Sequence, residues 1–331
     1  MASTSHPLTA TAASWSRLRL RRTAHLRDLV AETSFSVDQL IQPVFVVEHL
    51  SGSELVPGLG DNARHGQPAA LESIARDVDA GVRHFILFNV PAAKQTRALS
   101  FRPLAATVEA IKSRFGDALN LWVDVCLCSC TSHGHCALLD DDGNIDLGPT
   151  LDALGEAAVT AASAGADGVS PSDMMDGRTA HIRHALDAAG LGAVPIMSYS
   201  TKFASQFYGP FREAADSAPQ FGNRRHYQID VRSRRDAIGS SLRCAHEGAD
   251  LLMVKPGMTS IDLVGPIAER TGLPVGAYQV SGEYASLLAL AERGFTDFDA
   301  ALLETLLVFR RAGAAFIVTY GARRARTLGL A

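Results

Sequence analysis

The sequence predicts a parallel (β/α)8 barrel, and three observations carry that reading. Eight short apolar runs, rich in β-branched and aromatic residues, alternate with stretches of helical periodicity along the 331 residues. Several of those helical stretches stop at a glycine: Gly81, Gly116, Gly165 and Gly248. A doubly wound open sheet would show a Gly-rich phosphate turn after its first strand. None is present here, and no linker or internal repeat divides the chain.

The expected strands, in order, are 41–47 (I-Q-P-V-F-V-V), 84–90, 119–127, 168–172, 195–201, 250–255, 274–281 and 315–320. Helices are expected over 71–80, 104–115, 151–164, 179–189, 237–247, 261–270, 287–292 and 300–311, each with apolar residues at helical spacing. Residues 51–67 carry five Gly and Pro without any period and read as a long loop. Residues 1–35 read as an N-terminal arm making subunit contacts, and 36–331 as the catalytic barrel.

Composition narrows the function. The net charge of -4 offers no basic excess to offset phosphates, which argues against nucleic-acid binding. No apolar run approaches the length of a membrane span. The first 27 residues lack Asp and Glu, a faint transit-peptide trait. However, the Arg-rich part from Arg17 runs straight into the expected fold. A cytoplasmic location is therefore expected. Clustered cysteines suit metal binding in a reducing compartment better than a disulfide framework.

Residues 124–136 read D-V-C-L-C-S-C-T-S-H-G-H-C and hold four of the five cysteines and two histidines. Thiolates and imidazoles are ligands zinc prefers. If the third strand runs through them, Asp124, Cys126 and Cys128 share one face. A structural zinc knuckle or a disulfide cluster would also account for the thiols.

Barrel chemistry sits at the carboxyl ends of the strands. Those ends carry Asp124, then Ser170 with Ser172 and Asp173, then Lys202, Lys255, Ser281 and Tyr320. Lys255 ends the run L-L-M-V, so its amine is expected in an apolar pocket, where desolvation disfavours the charged form. Lys202 ends the preceding strand, and its cation would add to the effect. Bringing an amine from about 10.4 to about 7 costs roughly 4–5 kcal/mol, which needs both effects. The result is a neutral amine able to form a Schiff base with a carbonyl. Pairing with a carboxylate is the plainer role for either lysine. Residues 203–228 combine six Phe and Tyr with Gly209, Pro210, Pro219 and Gly222. That is too broken for one regular helix and reads as a lid. Arg212 and Arg224 on it suit a substrate carboxylate, and a subunit contact is the other reading.

Taken together, D-V-C-L-C-S-C-T-S-H-G-H-C, S-P-S-D-M-M-D-G-R, S-Y-S-T-K-F-A-S-Q-F-Y-G-P-F-R, M-V-K-P-G-M and Y-Q-V-S-G-E-Y resemble the porphobilinogen synthase (5-aminolevulinate dehydratase) family from about Arg17 to Tyr320. The resemblance implies a barrel with an arm that wraps a neighbouring subunit, usually in an octamer. It implies condensation of two 5-aminolevulinate molecules to porphobilinogen in haem biosynthesis. Lys255 would hold the first substrate as a Schiff base, with Ser281 and Tyr320 on its carboxylate. Lys202 would hold the second, with Arg212, Arg224 and Gln228 on its carboxylate. Asp124 and Ser170 would assist proton transfers, and Tyr208 and Phe211 would belong to the lid. Cys126, Cys128 and Cys136 match the three ligands of the zinc-dependent branch.

The chain departs from the family pattern at several places. Cys130 replaces a bulky residue and adds a fourth thiol near the metal ligands, Ala137 replaces a glycine, and the wording of 56–66 differs. Ser240 stands where many bacterial relatives carry a glutamate supporting an allosteric magnesium, which argues against that magnesium here. Asp236, one turn earlier, does not match that position. A Schiff-base lyase of aldolase type would explain Lys255 but not the second lysine or the cysteines. An inactive zinc-binding relative would explain only the cysteines.

Overall fold

The computed structural model describes residues 18–330. Residues 1–17, where most of the acid-free stretch and half of the expected arm fall, lie outside the described residues. Two compact units are present, divided between Ser34 and Phe35. Among its described residues the first holds a 3-10 turn, Arg19–Arg21, and a short helix, Ala24–Leu29, capped by the Thr23 hydroxyl, which accepts from Leu26 N.

The second unit is the barrel. Its strands are β1 (Leu40–Val47), β2 (His84–Val90), β3 (Asn120–Val125), β4 (Gly168–Pro171), β5 (Met197–Lys202), β6 (Leu251–Lys255), β7 (Val275–Tyr278) and β8 (Ile317–Val318). Neighbours pair in parallel in the order β4-β3-β2-β1-β8-β7-β6-β5. A parallel Val169–Ile196 bridge joins β4 to β5 and closes the ring. All eight residues of β1 are buried, because helices cover the outer face of a parallel sheet while side chains fill the interior.

Helices Gln67–Asp79, Arg102–Phe115, Leu147–Ser163, Arg178–Ala188, Arg234–His246, Val264–Thr271, Ser281–Glu292 and Phe298–Arg311 form the outer layer. Among the described residues no helix is long and apolar enough to cross a membrane.

Three details correct the sequence reading. The third strand ends at Val125, so Cys126 and Cys128 lie in the loop beyond it and not on a strand face. The expected loop 51–67 contains a two-stranded ribbon, Ser53–Leu55 against Ala63–His65, whose second strand also pairs with β1. Ser281 is the first residue of a helix, not a strand end. That helix starts early because the Glu283 carboxylate accepts from Val280 N at 2.9 Å and Met258 N at 2.8 Å.

Candidate active site and metal centre

Lys202 and Lys255 close β5 and β6 as register partners. Both are buried, with 5% and 3% exposure. The register of β5 shifts between Ser198 and Thr201, and such bulges re-aim side chains beside active sites. Here the shift leaves Lys202 Nζ 5.6 Å from the Tyr199 ring centre, on the same ring that Lys255 Nζ approaches at 4.9 Å.

The two amines have different neighbours. Lys255 Nζ sits over Tyr278 at 4.1 Å, Phe211 at 4.7 Å and Tyr208 at 5.5 Å. Lys202 Nζ donates to the Ser172 carbonyl. Burial, with the Lys202 cation second, pulls the Lys255 amine well below the usual lysine range. Asp124, paired in register with Ser170 across β3 and β4, is pushed up to about 7 by burial, against the pull of Lys202.

The remaining predicted residues fall around this pair. Ser170 is fully buried and donates to the Met197 carbonyl at 2.7 Å. The Tyr208 hydroxyl donates to the Phe203 carbonyl at 2.7 Å, which ties the lid to its own root. Phe211 sets its ring edge-on against Phe45 (5.7 Å) and Phe88 (5.1 Å), which stack on each other from β1 and β2. Ser281 Oγ accepts from Phe211 N at 3.0 Å, so the lid is pinned on both sides. Tyr320 lies 3.4 Å, hydroxyl to hydroxyl, from Tyr278 and stacks on Phe45. Residues 203–228 are not wholly irregular: Gly209–Ala214 is a helix, opened by Pro210 in its first turn.

Arg224 Nη2 donates to the carbonyls of Gly134 and Ser217, and Arg212 Nε has no protein partner. Neither amide atom of Gln228 has a protein partner. Gln228 faces a cavity of about 620 Å³ that Arg225, Asp230, Asp236 and Ser240 also line. Ile229 N, the next along the chain, donates to the Lys202 carbonyl at 3.1 Å, which sets Gln228 one residue from that strand end.

The thiols of Cys126, Cys128 and Cys136 lie within 4.8 Å of one another, and Cys126 Sγ is 3.3 Å from Cys128 Sγ. All five cysteines are free. Hydrogen bonds from Cys126 and Cys136, with the Arg224 and Lys202 cations nearby, hold the Cys128 thiol well below its usual range. Three convergent sulfurs, one of them favoured as thiolate, fit a soft or borderline cation. Cys130 stands outside the trio, and burial pushes its thiol up to about 12.

The family model described as delta-aminolevulinic acid dehydratase matches residues 16–328. The chain belongs to the delta-aminolevulinic acid dehydratase family.

The relative from Escherichia coli is 43% identical over 305 residues, covering 91% of this chain and 94% of that protein. The relative from Halalkalibacterium halodurans is 41% identical over 309 residues, covering 92% and 94%. A crystal structure of the Toxoplasma gondii enzyme in complex with its reaction product porphobilinogen superposes with a TM-score of 0.91 at 38% identity, covering 97% of this chain and 92% of that one. The family is one of hydro-lyases, and this chain is an enzyme of that class.

Sequence reasoning missed Tyr199 and Tyr278, the rings flanking the two amines, and the Ser172 carbonyl that accepts from Lys202. Tyrosines inside apolar strands read as core. Their signal lay in their distance from the strand ends, and the bulge in β5 obscured it for Tyr199.

Proposed function

We propose that this chain condenses two molecules of 5-aminolevulinate into porphobilinogen with release of two waters. The observation that carries the reading is the register match of Lys202 and Lys255, two buried amines side by side at strand ends. Lys255 offers its lone pair to the ketone carbon of the first substrate, and loss of water leaves a Schiff base. Burial keeps that amine neutral, while Ser281 and Tyr320 hold the substrate carboxylate.

Lys202 takes the second ketone in the same way, with Arg212, Arg224 and Gln228 on its carboxylate. Fixing both substrates removes much of the entropic barrier to joining them. One carbon–carbon and one carbon–nitrogen bond then form, and both lysines are released as free amines. Asp124 and Ser170 line the path for the protons. Tyr208 and Phe211 close over the pair and exclude water.

Cys126, Cys128 and Cys136 would hold zinc, which when bound supplies Lewis acidity beside the second substrate. By resemblance to the family, residues 1–35 act as an arm contacting a neighbouring subunit in an octamer, and the enzyme works in the cytoplasm. The direct test is incubation of the purified chain with 5-aminolevulinate and zinc, following porphobilinogen by mass spectrometry. Product that disappears on chelation and returns with zinc supports the reading, and no product overturns it.

A further inference from the structure

The cysteine loop and the second half of the lid are far apart in sequence but joined at several points. Ser129 Oγ donates to the Ala215 carbonyl at 3.1 Å, and Gln220 N donates to the His133 carbonyl at 3.0 Å. Arg224 reaches the Gly134 carbonyl at 2.9 Å. At Gly134, with φ of +72°, an added Cβ would stand 2.4 Å from the Ala218 carbonyl oxygen, so the lid backbone rests directly on the loop.

The join is tightest beside the third thiol. His135 is 7% exposed, and its two ring nitrogens reach the Phe221 carbonyl at 3.0 Å and the Tyr227 hydroxyl at 3.1 Å. A carbonyl only accepts, so Nε2 must carry the proton, and in the neutral ring Nδ1 accepts from the Tyr227 hydroxyl. Tyr227 in turn accepts from the backbone N–H of Cys136 at 3.4 Å. The donors therefore run in one direction: Cys136 N–H to Tyr227 O–H to His135, and His135 to Phe221. The imidazole also packs against the Phe221 ring at 4.9 Å. Arg224 lies between the two lid residues that this chain of bonds holds, Phe221 and Tyr227.

We propose that His135 and Tyr227 are positioning residues that couple the cysteine loop to the lid, so that metal binding at the three thiols orders 215–227 and sets Arg224 for its substrate carboxylate. The inference rests on the reading of Cys126, Cys128 and Cys136 as metal ligands. A lid held only by its own packing would be ordered to the same degree whether or not the thiols are gathered. A lid held through His135 and Tyr227 inherits its order from the loop. By linkage the coupling is reciprocal: whatever closes the lid tightens the hold on the metal by the same factor.

The test is amide hydrogen exchange over 215–227 in the full chain, with zinc and after chelation, with zinc uptake measured on the same samples. In the wild type zinc should slow exchange across this segment at least about fivefold, with little change in the barrel strands. Tyr227→Phe and His135→Gln should still take up zinc but lose most of that zinc-dependent slowing, and should raise KM more than they lower kcat. A merely structural role would change exchange equally with and without zinc. Zinc uptake with no change in wild-type exchange, or full zinc-dependent slowing in both variants, overturns the coupling. Absence of zinc uptake by the wild type overturns the metal reading itself, and the coupling with it.

Discussion

Lys202 and Lys255 end neighbouring strands in register, and their amines meet the same tyrosine ring, yet the two strand ends are built differently. At the end of β6 the amine is walled by Tyr278, Tyr208 and Phe211, two of which come from the lid. At the end of β5 the amine donates to the Ser172 carbonyl. Burial, with the Lys202 cation second, disfavours the charged form of Lys255. In the proposed reaction the two lysines enter unequally: Lys255 attacks the first ketone, and Lys202 takes the second.

The largest expected effect breaks the first partner. Lys255→Met should lower turnover by at least about ten-thousand-fold, as loss of a covalent nucleophile does, measured as porphobilinogen formed per minute. Lys202→Met should cost about a thousandfold in turnover while leaving Lys255 able to take one substrate, seen as a single borohydride-trapped adduct by mass spectrometry. Equal loss of adduct in both variants would erase the distinction between the two strand ends.

Phe211→Ala tests the wall directly. Removing the ring that packs edge-on against Phe45 and Phe88 opens the pocket to water, and kcat/KM should fall by about 10- to 100-fold. The pH at which the Lys255 adduct forms half-maximally should move up towards the usual lysine range, because burial is the first cause of its depression.

His65 obeys the same burial rule at a place with no part in the proposed chemistry, and gives the smallest effect. Burial, then the Arg323 and Arg76 cations, lowers its imidazole to about 4. The unfolded chain takes up this proton at about 6.5, the folded one not until about 4, so stability is lost as pH falls through that window. Discounted for solvent screening, the loss is about 1–2 kcal/mol. His65→Gln should narrow the Tm difference between pH 7 and pH 5 by a few degrees, read by calorimetry.

The strands were legible because parallel strands covered on both faces leave unbroken apolar runs such as 41–47 and 84–90. Lys255 was legible because it closes such a run, L-L-M-V, Lys202 because it directly follows the expected strand 195–201, and the cysteine cluster because four thiols fall between Cys126 and Cys136, although the choice of three among them rested on the resemblance. Features set by backbone irregularity were not. The shift in β5 brings Tyr199 and Lys202 together although their spacing is odd, which in a regular strand would put them on opposite faces. The ribbon 53–65 has an exposed first strand, S-E-L, with no alternation to mark it. The lid helix Gly209–Ala214 hides behind a Gly-Pro pair that reads as a breaker but opens its first turn. The end of β3 at Val125 was also invisible, because C-L-C continues the alternation of the strand into the loop.

Borohydride trapping with peptide mapping tests the inequality of the two lysines most directly. The enzyme is given 5-aminolevulinate below one equivalent per chain, quenched at successive times and digested. The expected result is an adduct on the peptide carrying Lys255 that appears first, and one on Lys202 only as substrate rises towards two equivalents. An adduct that forms first on Lys202, or on neither lysine while porphobilinogen accumulates, would contradict the account.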